Sequence, residues 1–289
     1  MDPNYTPPPH PFFAAYDILP APLPTIEEIA TSQDLLKAST GRRIVRVGPH
    51  FIVKYGINVD LKEGQNMMFV RQNSAVPVPT LYALYSHHQE GKKRPTVYIV
   101  MENIAGESLE SGWSSLDPTA KSDVARQLRQ CFEQLRQIPS HGYFGGLGRQ
   151  QFDHPVFWTD DEGFRRVFSG PFDSERQMLD AMVEKYRQTN RNYNKAEYYA
   201  RVLPVAIKNH DPVFTHGDFQ RKNVVRKSDG TVVIIDWEAA AWYPSYWEYV
   251  ITLYACHWND DWQFWVPKML DEHLNEFGWM IMMFNELWC

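Results

Sequence analysis

The sequence has little positive charge, few cysteines and no long apolar run, and each shortage argues against a class of protein. A formal net charge of -6 disfavours a nucleic-acid partner, because such proteins neutralise phosphates with excess lysine and arginine. Three cysteines in 289 residues predict neither a disulfide framework nor a zinc knuckle, and they favour a reducing compartment such as the cytoplasm. The longest apolar runs are strand-sized, so we expect no membrane span.

The N-terminal residues also lack the pattern of an export signal. Residues 1–11 are polar and rich in proline, without a basic start or an apolar centre, so we expect no secretory signal. Repeated prolines within residues 1–24 exclude a helix and predict an extended arm. The arm is either disordered or packed on the domain through Phe12, Phe13 and Tyr16, since aromatic residues are depleted in disordered segments.

What the sequence does contain is a compact set of polar residues late in the chain. His216-Gly217-Asp218 is followed by Asn223, and Asp236 comes after an Asp-Gly turn between two β-branched runs. Such a turn predicts a hairpin, which would bring Asp236 back beside Asp218 and Asn223. Two carboxylates and one carboxamide suit Mg²⁺ bridged to phosphate, with one carboxylate free to orient a hydroxyl.

The first hundred residues predict a small antiparallel sheet with one packed helix. The apolar patterning predicts strands over residues 42–47, 51–55, 80–85 and 96–101, and helices over residues 25–39 and 61–73. Lys54 lies near the end of the second strand, where most lysines are simply exposed. Glu63 lies near the start of the second helix, where it suits the helix dipole, and it is also the best available partner for Lys54.

From Asp117 onward the sequence becomes mainly helical. Asp117 and Pro118 predict the start of a long helix, along which apolar residues recur at spacings of three and four. Further helices are expected from residue 173 or 174, at 193–207 with an interruption around Pro204, at 245–257 and at 261–277, with an irregular segment at 163–171. We therefore expect an α+β fold with an arm (1–24), a sheet-containing N-lobe (25–103) and a helical C-lobe (104–289).

These motifs resemble the aminoglycoside phosphotransferase/choline kinase group of the protein-kinase-like superfamily. The resemblance rests on His216-Gly217-Asp218 with Asn223, followed by Ile235-Asp236-Trp237-Glu238, and it covers roughly residues 40 to 257 in an unchanged segment order. More narrowly, several segments resemble a fungal set of phosphotransferase-family proteins: Lys54-Tyr55-Gly56, Glu63 with Asn66-Met67, Pro77-Val78-Pro79, Val100-Met101-Glu102, Gly170-Pro171-Phe172 and Tyr246-Trp247-Glu248-Tyr249.

The resemblance implies a two-lobed, protein-kinase-like fold and an enzyme that moves the γ-phosphoryl group of ATP to a hydroxyl of a small molecule. It assigns Asp218 as the catalytic carboxylate, and Asn223 and Asp236 as the ligands that hold Mg²⁺ against the phosphates. Lys54, positioned by Glu63, would contact the α- and β-phosphates. Such a reaction needs mainly positioning and charge neutralisation.

The resemblance also assigns a hinge that would meet adenine, partly through backbone groups, to Met101, Glu102 and Asn103. His216 would lie beneath the catalytic loop as a structural residue. One departure concerns the first hairpin, which has no Gly-x-Gly-x-x-Gly; only Gly41 and Gly48 flank its first strand.

Two other functions compete with small-molecule phosphoryl transfer. A kinase-fold protein that binds nucleotide or a partner without catalysis is favoured by the weak glycine loop and opposed by the intact catalytic set. A protein kinase is disfavoured, because the loop reads His-Gly-Asp in place of His-Arg-Asp and no Ala-Pro-Glu follows. Family membership does not identify the acceptor. Late acidic residues either attract a cationic acceptor or form solvated helix faces: Asp260, Asp261, Asp271 and Glu272.

Overall fold

A computed structural model describes residues 5–189 and 192–288, and its main sheet lies in the first part of the chain. The strands of this sheet are β1 Phe12–Phe13, β2 Leu35–Ser39, β3 Arg42–Val47, β4 Phe51–Gly56, β5 Leu81–His87 and β6 Thr96–Glu102. They lie in the order β1-β5-β6-β4-β3-β2, and each neighbouring pair is antiparallel. The four strands predicted here are confirmed to within two residues.

The proline-rich arm packs on this sheet. Phe12 pairs with Leu84 and Phe13 with Ala83, which makes β1 an edge strand, and the Phe13 ring stacks on Tyr85 at 5.6 Å. Of the two expectations for the arm, the docked one therefore describes residues 12 and 13. Tyr16 takes no part in this packing, because it is 85% exposed.

The helix predicted over residues 25–39 is wrong in its second half. α1 spans Ile26–Thr31 and begins with a capping box between Thr25 and Glu28. Residues 35–39 instead form β2 beside β3, which leaves Leu35 and Leu36 exposed. The Oγ of Ser32 donates to the carbonyl of Arg46 at 2.7 Å, so contacts to β3 redirect the chain. Local apolar spacing cannot reveal such a non-local pairing.

Besides α1, one described helix before residue 108 packs beneath the large sheet, and the other helices follow that residue. The helix beneath the sheet is α2, Lys62–Asn73. The later helices are α3 Leu109–Gly112, α4 Pro118–Gln137, α5 Glu162–Ser169, α6 Glu175–Thr189, α7 Tyr193–Ala206, α8 Trp247–Tyr254, α9 Val266–Met269 and α10 Leu274–Leu287. The predicted start of α4 is confirmed, because the Asp117 side chain accepts from the amide of Ala120 at 2.8 Å and Pro118 occupies the first position.

Three helix predictions in this part need correction. The segment expected to be irregular contains α5, which the Asp161 side chain caps at the Gly163 amide. The helix expected over residues 261–277 is broken, because Pro267 lies in the first turn of α9 and the extended Leu270 then ends that helix. α7 continues through Pro204 to Ala206 without the predicted interruption.

Two small sheets flank the segments that carry Asp218 and Asp236. Their strands are β7 Gly106–Ser108, β8 Pro212–Thr215, β9 Val224–Lys227, β10 Val232–Ile234 and β11 Ala241–Pro244. The order in one sheet is β10-β9-β7, and β11 pairs with β8 in the other. The hairpin predicted around the Asp-Gly turn is confirmed, with Val233 opposite Val225.

Six aromatic residues after Asp236 belong to the core and are fully or almost fully buried: Trp237, Trp242, Tyr243, Tyr246, Trp247 and Tyr249. They pack against one another in part, as the stacked rings of Tyr243 and Trp247 show at 4.7 Å. Among the described helices, none has the length and apolar character needed to cross a membrane.

Candidate active site

The predicted pair of Lys54 and Glu63 lies at the centre of a buried ionic cluster. The Nζ atom of Lys54 on β4 lies 2.5 Å from Oε2 of Glu63, which is in the first turn of α2. The same ammonium lies 3.0 Å from Asp236 and 2.7 Å from Glu238, both from the segment after β10. Lys54 is only 2% exposed. A strand lysine is thus held by three carboxylates that come from two distant parts of the chain.

Charge balance explains the protonation of this cluster. Burial alone lowers the pKa of Lys54, but Glu63, Asp236 and Glu238 outweigh it and hold that pKa above its ordinary value. Burial raises the pKa of Glu63, and the neighbouring Asp236 and Glu238 add to that rise against the pull of Lys54. Burial also opposes ionisation of Asp236, yet Lys54 keeps its pKa below the ordinary value. Lys54 and Asp236 therefore form the stable charged pair of the cluster.

The backbone places Asp236 in an unusual conformation. Its φ of 63° lies in the left-handed region, which an aspartate tolerates better than most residues. The Nδ2 atom of Asn66 on α2 donates to the carbonyls of Trp237 at 2.8 Å and Ala240 at 3.2 Å. α2 thus supplies both the glutamate that faces Lys54 and the amide that fixes the chain just after Asp236.

The loop that carries Asp218 is closed by its own polar residues. The Nδ2 atom of Asn223 donates to the carbonyl of Asp218 at 2.8 Å and to its Oδ2 at 3.0 Å, and the Gln220 amide donates to Oδ1. The amide of Ile235 donates to the carbonyl of Asn223 at 2.9 Å. This last bond brings Asn223 directly beside the residue that precedes Asp236, as the sequence predicts.

Two buried groups support this loop from below. Glu248 on α8 accepts from the backbone amides of His216 at 2.7 Å and Gly217 at 3.2 Å. The His216 ring lies within 3.0 Å of the Ile235 carbonyl through Nε2 and is fully buried. The expectation that His216 lies beneath the loop agrees with this position.

The three predicted hinge residues lie at the end of β6, and their polar groups are already engaged. Met101 is buried and pairs with Ile52 on β4. The Glu102 carboxylate accepts from Thr80 through its amide and hydroxyl, at 3.1 and 2.9 Å. The amides of Glu102 and Asn103 donate to the carbonyls of Thr80 and His50. Both backbone amides are therefore already used in hydrogen bonds to neighbouring protein segments.

The turn between β2 and β3 lies directly before the β3–β4 hairpin, which lacks a Gly-x-Gly-x-x-Gly motif. Its tip is Thr40-Gly41, and the Nδ2 of Asn58 donates to the Thr40 carbonyl at 3.0 Å. The Gly41 carbonyl lies so close to Gly56 that a Cβ there would be 2.0 Å away, so only glycine fits this crossing. Next to the tip, Arg42 forms an ion pair with Glu238 at 2.9 Å.

The donor set suits a hard divalent cation. Glu63, Asp236 and Glu238 each offer a carboxylate oxygen within 4.8 Å of the others, and these carboxylates face the positive charges of Lys54 and Arg42. The amide group of Asn223 uses its NH₂ to bind Asp218, so its carbonyl oxygen can serve as a ligand. Carboxylate and carbonyl oxygens are the ligands that Mg²⁺ prefers.

A cavity of about 370 Å³ opens beside Asp218. Its lining is Arg42, Asp153, His154, Pro155, Trp158, Asp218, Gln220, Lys222, Glu238, Ala239 and Trp288. Two of these, Trp158 and Trp288, expose 53% and 40% of their surface. Of the acidic residues considered as an attraction for cations, Asp260, Asp261 and Asp271 instead pair with Arg221, Lys121 and Arg129.

Sequence reasoning missed Arg42, Asn66, Glu238 and Glu248 as parts of the site. Glu238 and Glu248 belong to motifs that the resemblance quotes, so their positions were visible without their contacts. Asn66 follows Glu63 by one helical spacing of three residues, which places both on one face of α2. Nothing in the local sequence of Arg42 reveals its contact with a residue 196 positions later.

Comparison with known proteins agrees with this architecture. The sequence pattern of the phosphotransferase enzyme family matches residues 35–279. No curated protein sequence matches the chain significantly.

Solved structures provide a second comparison. The apo form of a thermostable mutant of aminoglycoside phosphotransferase APH(4)-Ia has a TM-score of 0.58 and 15% identity, covering 91% of this chain and 86% of that chain. The GDP complex of aminoglycoside 2'-phosphotransferase-IIIa has a TM-score of 0.55 and 16% identity, covering 88% and 83%. At these identities the similarity shows the fold, and it confirms the predicted α+β, protein-kinase-like, two-lobed architecture.

Proposed function

The chain belongs to the phosphotransferase enzyme family, and on that premise we propose that it transfers the γ-phosphoryl group of ATP to a hydroxyl of a small molecule with the help of Mg²⁺. The observation that carries the proposal is the contact of Lys54 on β4 with Asp236, which follows the hairpin beside Asn223 and Asp218. This contact brings a phosphate-binding cation and oxygen ligands for a metal to one place. Structures of similar fold were solved with GDP, AMP-PNP or ADP.

The proposed roles follow from what each group can donate or accept. Lys54, oriented by Glu63, binds phosphate oxygens. Asn223 and Asp236 hold Mg²⁺, which neutralises charge on the phosphates. Asp218 accepts the proton of the attacking hydroxyl, whose oxygen bonds to the γ-phosphorus while the bond to the β-phosphate oxygen breaks and ADP leaves. Gln220 and Asn223 hold the Asp218 carboxylate in place for this step.

For the adenine contact we propose Ile104 together with the hinge residues Met101, Glu102 and Asn103. The amides of Glu102 and Asn103 already donate to protein carbonyls. Ile104 is the next residue, and its amide donates to no acceptor among the described residues. The Ile104 amide is therefore the backbone donor that we propose for adenine. The Glu102 carbonyl is the proposed acceptor nearby.

We propose the boundaries of the arm, N-lobe and C-lobe at residues 24/25 and 103/104. The N-lobe boundary is supported by β6, which ends at Glu102, and by β7, which starts at Gly106 and pairs with β9 of the second part. The arm contributes β1 to the sheet of the N-lobe, so it is a part of that lobe in packing although it precedes it in sequence.

For the acceptor we propose a hydroxylated molecule with a flat or ring-shaped face. The cavity beside Asp218 is lined by the exposed Trp158 and Trp288, and indole rings bind such faces by stacking. Structures of similar fold hold hygromycin B or kanamycin. Lys222 and Asp153 in the lining carry opposite charges, so the cavity can bind polar groups of either sign.

The metal role is tested by nucleotide binding. Calorimetry should show ATP binding that strengthens with Mg²⁺, and Asp236→Ala should remove the Mg²⁺ dependence. Asp229→Ala, in the exposed hairpin turn, is the matched control and should behave like the original protein. Equal binding of ATP with and without Mg²⁺ in the original protein would refute the assignment.

The second candidate function is nucleotide or partner binding without phosphoryl transfer. It is favoured by the cluster itself, because Lys54 and Arg42 are already paired with carboxylates and the turn between β2 and β3 is tied to Asn58. ATP turnover in the presence of a metabolite pool decides between the two functions.

A further inference from the structure

A second cluster of potential metal ligands lies away from Lys54 and Asp218. It combines His210 from the loop between α7 and β8, His273 just before α10 and Glu276 in the first turn of α10. One atom from each of these three side chains lies within 4.8 Å of the other two. Nothing in the proposed phosphoryl transfer uses them.

The separations within this cluster suit an ion better than direct hydrogen bonds. Nε2 of His210 lies 3.6 Å from Oε1 of Glu276, and Nδ1 of His273 lies 3.8 Å from Oε2 of the same residue. Both distances exceed the usual range of a hydrogen bond. Ligand atoms about 2.0 Å from a tetrahedral zinc ion are about 3.3 Å apart, so a small contraction of the cluster would enclose one.

The other nitrogen of His210 is held in the manner of a metal-bound histidine. Nδ1 of His210 lies 2.8 Å from Oε1 of Glu175, at the start of α6. The amide of His210 also donates to Oε2 of Glu175 at 3.2 Å. A carboxylate that binds one imidazole nitrogen fixes the ring and directs the other nitrogen toward a metal. Asn209, just before, adopts a left-handed φ of 68° and so aims His210 toward this cluster.

A buried phenol supplies an independent sign of an unrecorded ligand. Tyr246 is fully buried, and its hydroxyl finds no hydrogen-bond partner among the described residues. Its ring lies edge-on to His210, with centroids 4.8 Å apart, and 6.4 Å from His273. The buried hydroxyl therefore belongs to a ring that packs against two of the three residues of the cluster. A water or ligand on a metal would satisfy it.

The charges around the cluster and its access to solvent are both compatible with a bound cation. When both histidines are neutral, as metal ligands must be, Glu175 and Glu276 supply two negative charges that face the ion. Arg136 and Asp271, the other charged groups that act on His273, are opposite in sign. Glu175 and His210 line a cavity of about 690 Å³, which gives an ion a path from solvent. Asn275 also donates to Oε1 of Glu276 at 2.9 Å, which helps to hold this carboxylate in place.

We propose that His210, His273 and Glu276 bind a zinc-like divalent cation, with Glu175 as the residue that orients His210. Two imidazoles and one carboxylate with an open position form a ligand set typical of zinc. The ion would join the loop before β8 to the start of α10. Because β8 leads directly into His216-Gly217-Asp218, the site would anchor the strand that carries the catalytic loop.

Metal binding to the full-length protein tests this inference. Metal-free protein is titrated with Co²⁺, whose visible absorption reports tetrahedral coordination, and then with Zn²⁺ as competitor. We expect one tightly bound Co²⁺ per chain, displaced by Zn²⁺, and a higher melting temperature with Zn²⁺ than with EDTA.

Variants locate the ion. His273→Ala should weaken binding more than about 100-fold, and Glu175→Gln, which acts only through His210, should weaken it by about 10–100-fold. His88→Ala, on an exposed loop, is the matched control and should bind as the original protein does. Asp236→Ala should also retain this Co²⁺, which separates the site from the proposed Mg²⁺ site.

Two results would overturn the inference. The first is that the original protein binds no stoichiometric Co²⁺, in which case the cluster is an ion-pair network around a protonated His210. The second is that binding persists unchanged in both His273→Ala and Glu175→Gln. The titration of the original protein does not depend on whether any variant folds. Neither result depends on whether the protein catalyses phosphoryl transfer.

Discussion

The Nζ atom of Lys54 lies 3.0 Å from Oδ1 of Asp236, although 182 positions separate the two residues in the sequence. The contact joins the large sheet to the segment after the β9–β10 hairpin. Because Lys54 is 2% exposed, each partner depends on the other for charge compensation. A change at Lys54 should therefore alter both the stability of the folded protein and the proposed binding of phosphate.

Replacing Lys54 by methionine tests this link. Lys54→Met leaves Glu63, Asp236 and Glu238 with only Arg42 as a counter-charge, so we expect the free energy of unfolding to fall by about 3–5 kcal/mol. ATP binding should be lost as well. Protonation of Glu63, whose pKa is already raised by burial, relieves the repulsion at low pH, so the loss of stability should be larger at pH 8 than at pH 6.

Urea unfolding at both pH values measures the effect, and Lys37→Met on the exposed strand β2 is the matched control. A change of less than about 1 kcal/mol, as for a surface ion pair, would contradict the structural importance of the cluster.

The carboxylate of Asp218 provides the test of catalysis. Asp218→Asn keeps the size of the side chain but removes the base, so we expect turnover to fall by about 10²–10⁴-fold. ATP affinity should remain near its original value, because Asp218 is not among the proposed phosphate or metal ligands. Product formation is measured with a metabolite pool, and Asp229→Asn in the exposed turn is the control. Turnover unaffected by Asp218→Asn removes this residue from its proposed role.

The two halves of the site differ in how well a sequence can predict them. Asp218, Asn223 and Asp236 lie within one loop and hairpin, so their spacing and a single turn already bring them together. Lys54 and Glu63 lie far from this loop in the sequence, and it was the resemblance to a known family that placed them in the same site. Arg42 and Glu238 were missed because 196 positions separate them in the sequence, so no local pattern links them.

The fold shows the same limit in two other segments. Leu35 and Leu36 continue the apolar spacing of α1, yet the edge of β3 recruits them into a strand. The break between α9 and α10 begins at the extended Leu270, next to Asp271, which pairs with Arg129 on α4 at 2.7 Å. In both places, a contact between residues that are distant in sequence sets the backbone conformation against the helical preference of the local sequence.

The two bonds of Asn66 predict a coupling between stability and metal binding. Asn66→Leu removes the donors to Trp237 and Ala240 and leaves those buried carbonyls without them, so we expect a loss of about 1–3 kcal/mol of unfolding free energy. The segment after Asp236 should also loosen, which weakens Mg²⁺-dependent ATP binding.

Thermal unfolding and calorimetry measure these two effects. Asn73→Leu at the exposed end of α2, whose side chain bonds only the Phe69 carbonyl, is the matched control. Loss of stability with unchanged Mg²⁺ dependence would show that Asn66 supports the fold without positioning Asp236.

Asp261 provides a stability test that depends on pH and lies outside both proposed sites. Its carboxylate accepts from the Nζ of Lys121 and from the indole nitrogens of Trp113 and Trp265, each at 2.9 Å. Burial opposes ionisation, but these hydrogen bonds outweigh it and lower the pKa of Asp261 from 3.8 to about 2. A depressed pKa means that the ionised group stabilises the folded state above pH 3.8, and that this contribution is lost as the pH falls toward 2.

Asp261→Asn should therefore cost about 1 kcal/mol near neutral pH, a modest value because the side chain is 42% exposed. The melting temperatures of the variant and the original protein should converge as the pH falls from 4 toward 2. Asp160→Asn, at an exposed position, controls for the general loss of one negative charge. A difference in melting temperature that stays constant from pH 7 to pH 2.5 would mean that Asp261 acts through its shape and hydrogen bonds, and that its charge contributes nothing to stability.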